Sequence, residues 1–169
     1  LMILTSTSHR RSILRHVSAV AVLLCGLHLA AADFYWVGGS GVWTDLSHWA
    51  TTSGGGTNHT IVPSPLVDTV IFDANSFSAA GETVTMNVEG FCLDFDCRDV
   101  VAGINFTSTK PLNIYGGLSL DQNMNFTNTG SIVVLAGGIH VGSTARFTHN
   151  GDLTITPGDI TVDGGGYFY

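Results

Sequence analysis

Three tryptophans lie close together near residue 40, beside side chains able to move protons. Trp36, Trp43 and Trp49 fall within 14 positions, and Asp45 and His48 stand between the last two. A carboxylate and an imidazole so close are able to serve general acid–base catalysis. The segment nevertheless offers no second carboxylate or nucleophile at a supporting position. We therefore expect Asp45 to cap a turn through its side-chain oxygen and His48 to satisfy a buried polar group.

The tryptophans themselves allow two interpretations. Exposed rings of Trp36, Trp43 and Trp49 would stack on sugar rings, as in a carbohydrate-binding module. Buried rings would instead cover the end of a larger apolar core, since each removes much apolar area from water. The pair Gly38-Gly39 permits tight folding of the chain over such an end. The segment therefore predicts a cap, with carbohydrate binding as the alternative.

Acidic residues form a second group able to bind a ligand. Asp94, Asp96 and Asp99 lie in DFDCRD, and Asp68 and Asp73 precede them. Carboxylate oxygens are the ligands that calcium prefers. The spacing lacks the glycine and the distal glutamate of an EF-hand loop, and solvent-facing carboxylates on a strand are the alternative interpretation. Calcium at Asp94, Asp96 and Asp99 is thus the one candidate cofactor; otherwise we expect none.

The remaining reactive side chains make weaker patterns. Cys92 and Cys97 are the only cysteines after residue 32, and the four histidines there lack zinc spacing. Two cysteines five apart point to opposite faces of a straight strand, so buried or free thiols are favoured over a disulfide. Thr154, Thr156 and Thr161 are of the type found in ice-binding solenoids. The equivalent positions of the earlier repeats form no regular hydroxyl array with them.

The N-terminal segment predicts export. Residues 9–16 are basic, a short apolar run follows, and Ala30-Ala31-Ala32 offers the small residues of a cleavage site. This order is that of a secretory signal peptide over residues 1–32, with a mature start at Asp33. The apolar run is too short to span a bilayer comfortably. We therefore expect a secreted or cell-surface protein without a membrane span after cleavage.

Cleavage leaves an acidic chain with few charges. Three of the six basic residues lie in the signal peptide, so three remain against 13 acidic residues and the net charge becomes −10. Such a chain lacks the basic surface that neutralises phosphates, which excludes a nucleic-acid-binding protein. With 21 glycines and only 11% charged residues, the composition indicates a β-rich exported protein.

A repeat of 20 to 21 residues predicts the architecture that positions these side chains. Segments 112–131, 132–152 and 153–169 each contain alternating apolar pairs and a turn with glycine. Two sets of equivalent residues recur at this period: Leu112, Ile132 and Leu153, and Phe106, Phe126 and Phe147. Because alternate strand residues share a face, stacked repeats would align each set as an inward ladder. We predict an all-β, right-handed parallel β-solenoid with three strands per coil, rather than an antiparallel sandwich.

The repeat divides the chain into three parts. A signal peptide covers residues 1–32, an N-terminal cap segment 33–80, and solenoid coils 81–169. Uncovered strand edges invite pairing with other chains, so a cap is expected directly before the first coil. The unfinished third segment indicates that the coils are truncated at the C-terminal end, in a fragment of a larger repeat protein.

The stretch YWVGGSGVWTDLSHWATTSGG, followed by VPSPLVDTVIFDAN and by FCLDFD, resembles the opening module of large secreted repeat proteins. That module is frequent in adhesin-like, β-helical surface proteins of Bacteroidetes and related aquatic bacteria, and the likeness covers about residues 35–135. The resemblance implies a cell-surface or exported scaffold without an established active site. Cys97 departs from the pattern, where a tryptophan or another bulky residue is expected.

Three classes of function remain. The first is a non-enzymatic, adhesin-like scaffold, whose partners would be surface polysaccharide or other cell-surface components. The second is a β-helical polysaccharide-degrading enzyme, which would need carboxylates and basic residues in one groove. Only Lys110 and Arg146 are available as its basic residues. The third is a carbohydrate-binding module that uses the tryptophans. We favour the scaffold.

Overall fold

The protein folds as a parallel β-solenoid of about five turns. The computed structural model describes residues 31–64, 66–101 and 103–169. Residues 1–30, which hold nearly all of the predicted signal peptide, lie outside this part. The regular secondary structure of the described residues consists of seventeen short strands and one 3-10 turn, Leu46–His48. The all-β solenoid class predicted from the repeat is confirmed.

The first side of the solenoid, sheet A, has seven strands. In chain order they are β1 (Asp33–Trp36), β3 (Trp49–Ala50), β4 (Thr69–Phe72), β7 (Asp94–Cys97), β10 (Gly117–Leu120), β13 (Gly138–Val141) and β16 (Ile160–Val162). Every neighbouring pair is parallel except β1 and β3, which pair antiparallel. The antiparallel strand β3 ends the sheet at its N-terminal side.

The other two sides are wholly parallel. Sheet B contains β2 (Gly41–Val42), β5 (Thr83–Met86), β8 (Ile104–Ser108), β11 (Met124–Asn128), β14 (Arg146–His149) and β17 (Tyr167–Phe168). Sheet C contains β6 (Gly90–Cys92), β9 (Leu112–Ile114), β12 (Ile132–Val134) and β15 (Leu153–Ile155). One strand from each sheet therefore makes a complete coil, as predicted.

Alternating side chains form the strands and fill the interior. In β8 and β11 every second residue is buried, and the residues between them are partly exposed. β-branched and aromatic side chains suit such a half-buried, pleated surface. The inward residues of successive coils then stack on one another, so the core is a continuous column of apolar side chains rather than a compact centre.

Both predicted ladders are confirmed. Leu112, Ile132 and Leu153 occupy one register position of β9, β12 and β15. The phenylalanines Phe106, Phe126 and Phe147 do the same in β8, β11 and β14. Their rings stack face to face, with centroids 4.7 Å apart for the first pair and 5.2 Å for the second. The stacking continues to Phe168, whose ring centroid lies 4.8 Å from that of Phe147.

Parallel pairing begins earlier in the chain than residue 81, the predicted start of the coils. Phe34 of β1 pairs with Val70 of β4, and Val70 pairs in turn with Phe95 of β7. Gly41 of β2 likewise pairs with Val84 of β5. Residues 33–80 therefore supply strands to sheets A and B as well as a covering segment. The repeat in the sequence did not reveal these strands, because they are irregularly spaced and the 20-residue period holds only from residue 104 onward.

Candidate functional site

The three tryptophans form a closed cluster at the N-terminal end of the stack. Trp36, Trp43 and Trp49 each have no exposed surface. The ring of Trp49 meets those of Trp36 and Trp43 edge to face, with centroid distances of 4.9 and 4.7 Å. Trp43 also contacts Phe106 at 6.1 Å, and Trp36 contacts Phe72 at 5.9 Å. The cluster thus continues the aromatic core of the coils.

Local chain geometry folds this cluster into place. Gly38 and Gly39 both have positive φ angles, 82° and 78°, which glycine adopts without steric cost. The resulting turn lets the Trp36 indole N–H donate to the Gly39 carbonyl at 2.7 Å. The Trp49 indole N–H donates to the Trp43 carbonyl, also at 2.7 Å. These bonds satisfy two of the three buried indoles, and antiparallel β3 then closes sheet A.

This burial is compatible with the predicted cap and excludes the sugar platform at these rings. Stacking on a sugar needs at least one exposed ring face, and Trp36, Trp43 and Trp49 offer none. The carbohydrate interpretation of the cluster is therefore wrong for this fold. The rings are buried because covering three large apolar side chains at the open end of the core lowers the free energy more than leaving them in contact with water.

Asp45 and His48 have the structural roles expected of them. The Asp45 carboxylate accepts hydrogen bonds from the Ser47 hydroxyl at 2.7 Å and the Ser47 amide at 3.0 Å, which caps the 3-10 turn and lowers the pKa of the carboxyl. The Nδ1 atom of His48 lies 2.6 Å from the Val37 carbonyl oxygen, and its ring stacks on Trp36 at 4.6 Å. Both side chains hold the cap in shape.

The three predicted calcium ligands do not share one site. Asp94 accepts a hydrogen bond from the Gly117 amide at 2.8 Å, and Asp96 forms an ion pair of 3.4 Å with Arg98. Asp99 lies in an exposed turn with a φ of 54°. Within the described ranges, no group of three or more acidic, histidine or cysteine side chains is placed to hold a metal ion. Asp94 and Asp96 line one cleft, where a backbone amide and Arg98 already engage them. Asp99 lies outside the lining of this cleft, so calcium binding by these acids stays a prediction.

Cys92 and Cys97 are free, fully buried thiols, as favoured from the sequence. The argument that the two cysteines point to opposite faces of one straight strand is wrong, however. The two residues lie in different strands, β6 and β7, with a corner at Leu93 between them. The corner lets both side chains point into the core. Burial in apolar surroundings raises the pKa of both thiols well above the usual value.

The outer face of sheet B is the candidate site that the sequence did not reveal. Two columns of outward side chains cross its coils. One consists of Thr85, Thr107, Thr127 and Thr148, and the other of Thr83, Asn105, Asn125 and Arg146. The Thr85 and Thr107 hydroxyl oxygens lie 3.5 Å apart, and the Asn125 amide donates to Asn105 at 3.2 Å. The available signal was the residue after each phenylalanine of the ladder, which is threonine in three coils.

A groove of about 450 Å³ runs beside the threonine column. Thr85, Thr107 and Thr127 form one wall, and Asn87, Thr109 and Thr129 stand at the corner where each strand ends. Lys110 also lines the groove and is exposed. The groove therefore offers repeated hydroxyl and amide groups, which both donate and accept hydrogen bonds, together with one ammonium group.

Charges are distributed unevenly between the sides of the solenoid. The outward residues of β5, β8, β11 and β14 include no aspartate or glutamate, although the whole chain has 13. Sheet A, by contrast, presents Asp94 and Asp96 in a second cleft of about 380 Å³. The described residues include three basic side chains, Arg98, Lys110 and Arg146, and the last two lie at sheet B. The strands of sheet B are thus less acidic than those of sheet A.

Comparison with known proteins adds no information about function, so the functional proposal rests on the fold and on the outer surface of sheet B. No family model, no curated protein and no solved structure matches the chain. The resemblance to the opening module of secreted surface proteins therefore stays a prediction. Among the described residues, no helix has the length and apolar character needed to cross a membrane.

Proposed function

We propose that the chain is a non-enzymatic, adhesin-like scaffold that is secreted or held at the cell surface. The observation that carries this proposal is the continuous, in-register stack of three parallel sheets. Such a stack is a rigid rod, because each coil is held by backbone hydrogen bonds and by the buried side chains of both neighbours. Its outer surface repeats with every coil, which suits repeated contacts with a partner.

Two further features support a scaffold over an enzyme. The interior is filled by apolar side chains such as Phe106, Phe126 and Ile132, which have no exposed surface. A polysaccharide-degrading site needs carboxylates and basic residues in one groove. Here the carboxylates Asp94 and Asp96 line the cleft on sheet A, whereas Lys110 lines the groove on sheet B. Among the described residues, the sheet B groove is lined by no carboxylate, and on the sheet A side the one arginine, Arg98, is already paired with Asp96 at 3.4 Å.

A measurement of export tests whether the protein is secreted or held at the cell surface. The full chain with a C-terminal epitope tag is expressed in a Gram-negative bacterium, and its location and N-terminal residue are determined. We expect a product that begins at Asp33 and is found in the cell envelope or the medium. The control carries Leu23→Arg and Leu24→Arg, which interrupt the apolar run and should leave the product uncleaved in the cytoplasm. An uncleaved cytoplasmic product of the unaltered chain would refute export.

Incubation with polysaccharides tests whether the protein is a scaffold or a polysaccharide-degrading enzyme. The purified product is mixed with acidic and neutral polysaccharides, and the release of reducing ends and of unsaturated sugars is followed over hours. We expect the same slow background as in buffer. Release above that background, if it scales with protein concentration, would show an enzyme and overturn the scaffold proposal.

A further inference from the structure

The threonine and asparagine columns of sheet B have the properties of a built polar surface. Their side chains stand on a parallel stack whose coils repeat about every 4.8 Å. Threonine has a stiff χ1 torsion, so Thr107 and Thr127 lose little freedom when a ligand binds. The hydrogen bond from Asn125 to Asn105 further restrains the second column. A ligand therefore meets polar groups that are already ordered.

The repetition of this surface points to a polymer rather than to a small molecule. The Thr85, Thr107 and Thr127 hydroxyls are equivalent in successive coils, and the groove crosses all three. An extended chain that lies along the stacking direction would meet the same groups at each step. Sugar hydroxyls suit them, because hydroxyl and amide side chains donate and accept hydrogen bonds alike.

The charges on this face select the kind of polymer. Lys110 lines the groove, and Arg146 occupies the second column two coils further along. Two strand spacings separate these cations by about 10 Å along the stack, but Arg146 is in register with Asn105, five residues before Lys110, and lies outside the lining of the groove. The Arg146 guanidinium lies 5.1 Å from the ring centre of Tyr167 and 5.4 Å from that of Tyr169, which restrains its position. No outward acidic side chain of β5, β8, β11 or β14 opposes an anionic ligand.

We propose that the outer face of sheet B binds an anionic, carboxylate-bearing polysaccharide that lies along the groove. The threonine side chains that line the groove hydrogen-bond its hydroxyl groups, while Lys110 pairs with a carboxylate. This inference deepens the proposed scaffold function and rests on it, since an exported protein is the one that meets such polymers.

Binding to polygalacturonate tests the site. The purified product of the full chain is run in affinity gels and titrated calorimetrically with polygalacturonate and with its fully methyl-esterified form, which lacks the negative charges. We expect binding to the acid form only, weaker at 200 mM than at 50 mM salt because exposed charges are screened. Equal binding to both forms would overturn the assignment of an anionic ligand.

Matched variants locate the site. Lys110→Ala should weaken binding by about tenfold, the usual effect of losing one hydrogen bond to a charged group. The pair Thr107→Val and Thr127→Val removes two hydroxyls without changing the shape of the face and should weaken it by a similar factor. The controls Arg98→Ala on the sheet A side and Thr154→Val on sheet C should bind as the unaltered chain does. Near-ultraviolet circular dichroism of each variant verifies that it is folded.

The possible results separate the two proposals. An exported product that binds no polygalacturonate, or whose binding Lys110→Ala and the threonine variants leave unchanged, overturns the sheet B inference alone. Shaping of ice crystals without binding to polygalacturonate also overturns it. An uncleaved cytoplasmic product refutes the scaffold proposal whatever the affinity. Loss of binding in the sheet B variants, with both controls unaffected, supports the inference.

Discussion

Replacing Phe126 with alanine should lower the free energy of unfolding by about 4–5 kcal/mol. The general cost of emptying a buried phenylalanine site is about 3–5 kcal/mol. Phe126 belongs at the upper end because its ring is fully buried and stacks on both sides, on Phe106 at 4.7 Å and on Phe147 at 5.2 Å. A third ring, Phe95, meets it edge to face at 5.7 Å. Each such pair adds roughly 0.5–1.5 kcal/mol beyond the buried area.

The position of a phenylalanine in the column should set the size of its effect. Phe168 has the same register position in the last coil, but it is only partly buried and stacks on Phe147 alone. Phe168→Ala should therefore cost about 1–2 kcal/mol, no more than half the loss at Phe126. This difference follows from the stack and would not be expected if the phenylalanines belonged to a compact core.

Urea unfolding monitored by tryptophan fluorescence measures both losses, with the slope m held common to all variants. Asn113→Ala is the surface control. Its amide donates to Glu89 at 2.9 Å on the outside of sheet C, and its loss should change stability by less than about 0.5 kcal/mol. Equal losses at Phe126 and Phe168 would refute the stacking argument. A loss at Asn113 as large as that at Phe126 would refute the assignment of inward and outward faces.

Three further predictions concern the cap, a close approach between coils and the buried thiols. Indole emission should be blue-shifted and poorly quenched by acrylamide, and Trp43→Ala should cost about 3–5 kcal/mol; ready quenching would contradict the cap. Gly142→Ala should cost about 3 kcal/mol or more, because its Cβ would meet a backbone carbonyl of the preceding coil, whereas Gly164→Ala has open space and should cost less than about 0.5 kcal/mol. Burial raises the pKa of both thiols, so the folded state keeps protons that the unfolded state loses above the usual value of 9.0, and stability should fall as the pH rises beyond it. The double variant Cys92→Ala and Cys97→Ala should lose this part of the pH dependence, and an identical pH profile would contradict the argument.

Much of the solenoid was predictable because its information is local and repeated. The 20- to 21-residue recurrence from Phe106 to Phe126 and Phe147 specifies both the strand faces and the coil length. Turn capping by Asp45 was predictable for the same reason, since its hydrogen bonds reach only to Ser47. The first coils were harder to find, because β1 and β4 are separated by residues 37–68, which include β2, the 3-10 turn and β3, and share no period.

The candidate site depended on contacts between coils, which no single segment contains. Each threonine of the column looks like an ordinary strand residue; only the register that places Thr85, Thr107 and Thr127 side by side makes a surface of them. The fate of the tryptophans was decided in the same way. Their types and spacing allowed a sugar platform or a cap, and the choice came from the open core end beside them. Burial there removes apolar area from water, and that gain exists only once the coils have stacked.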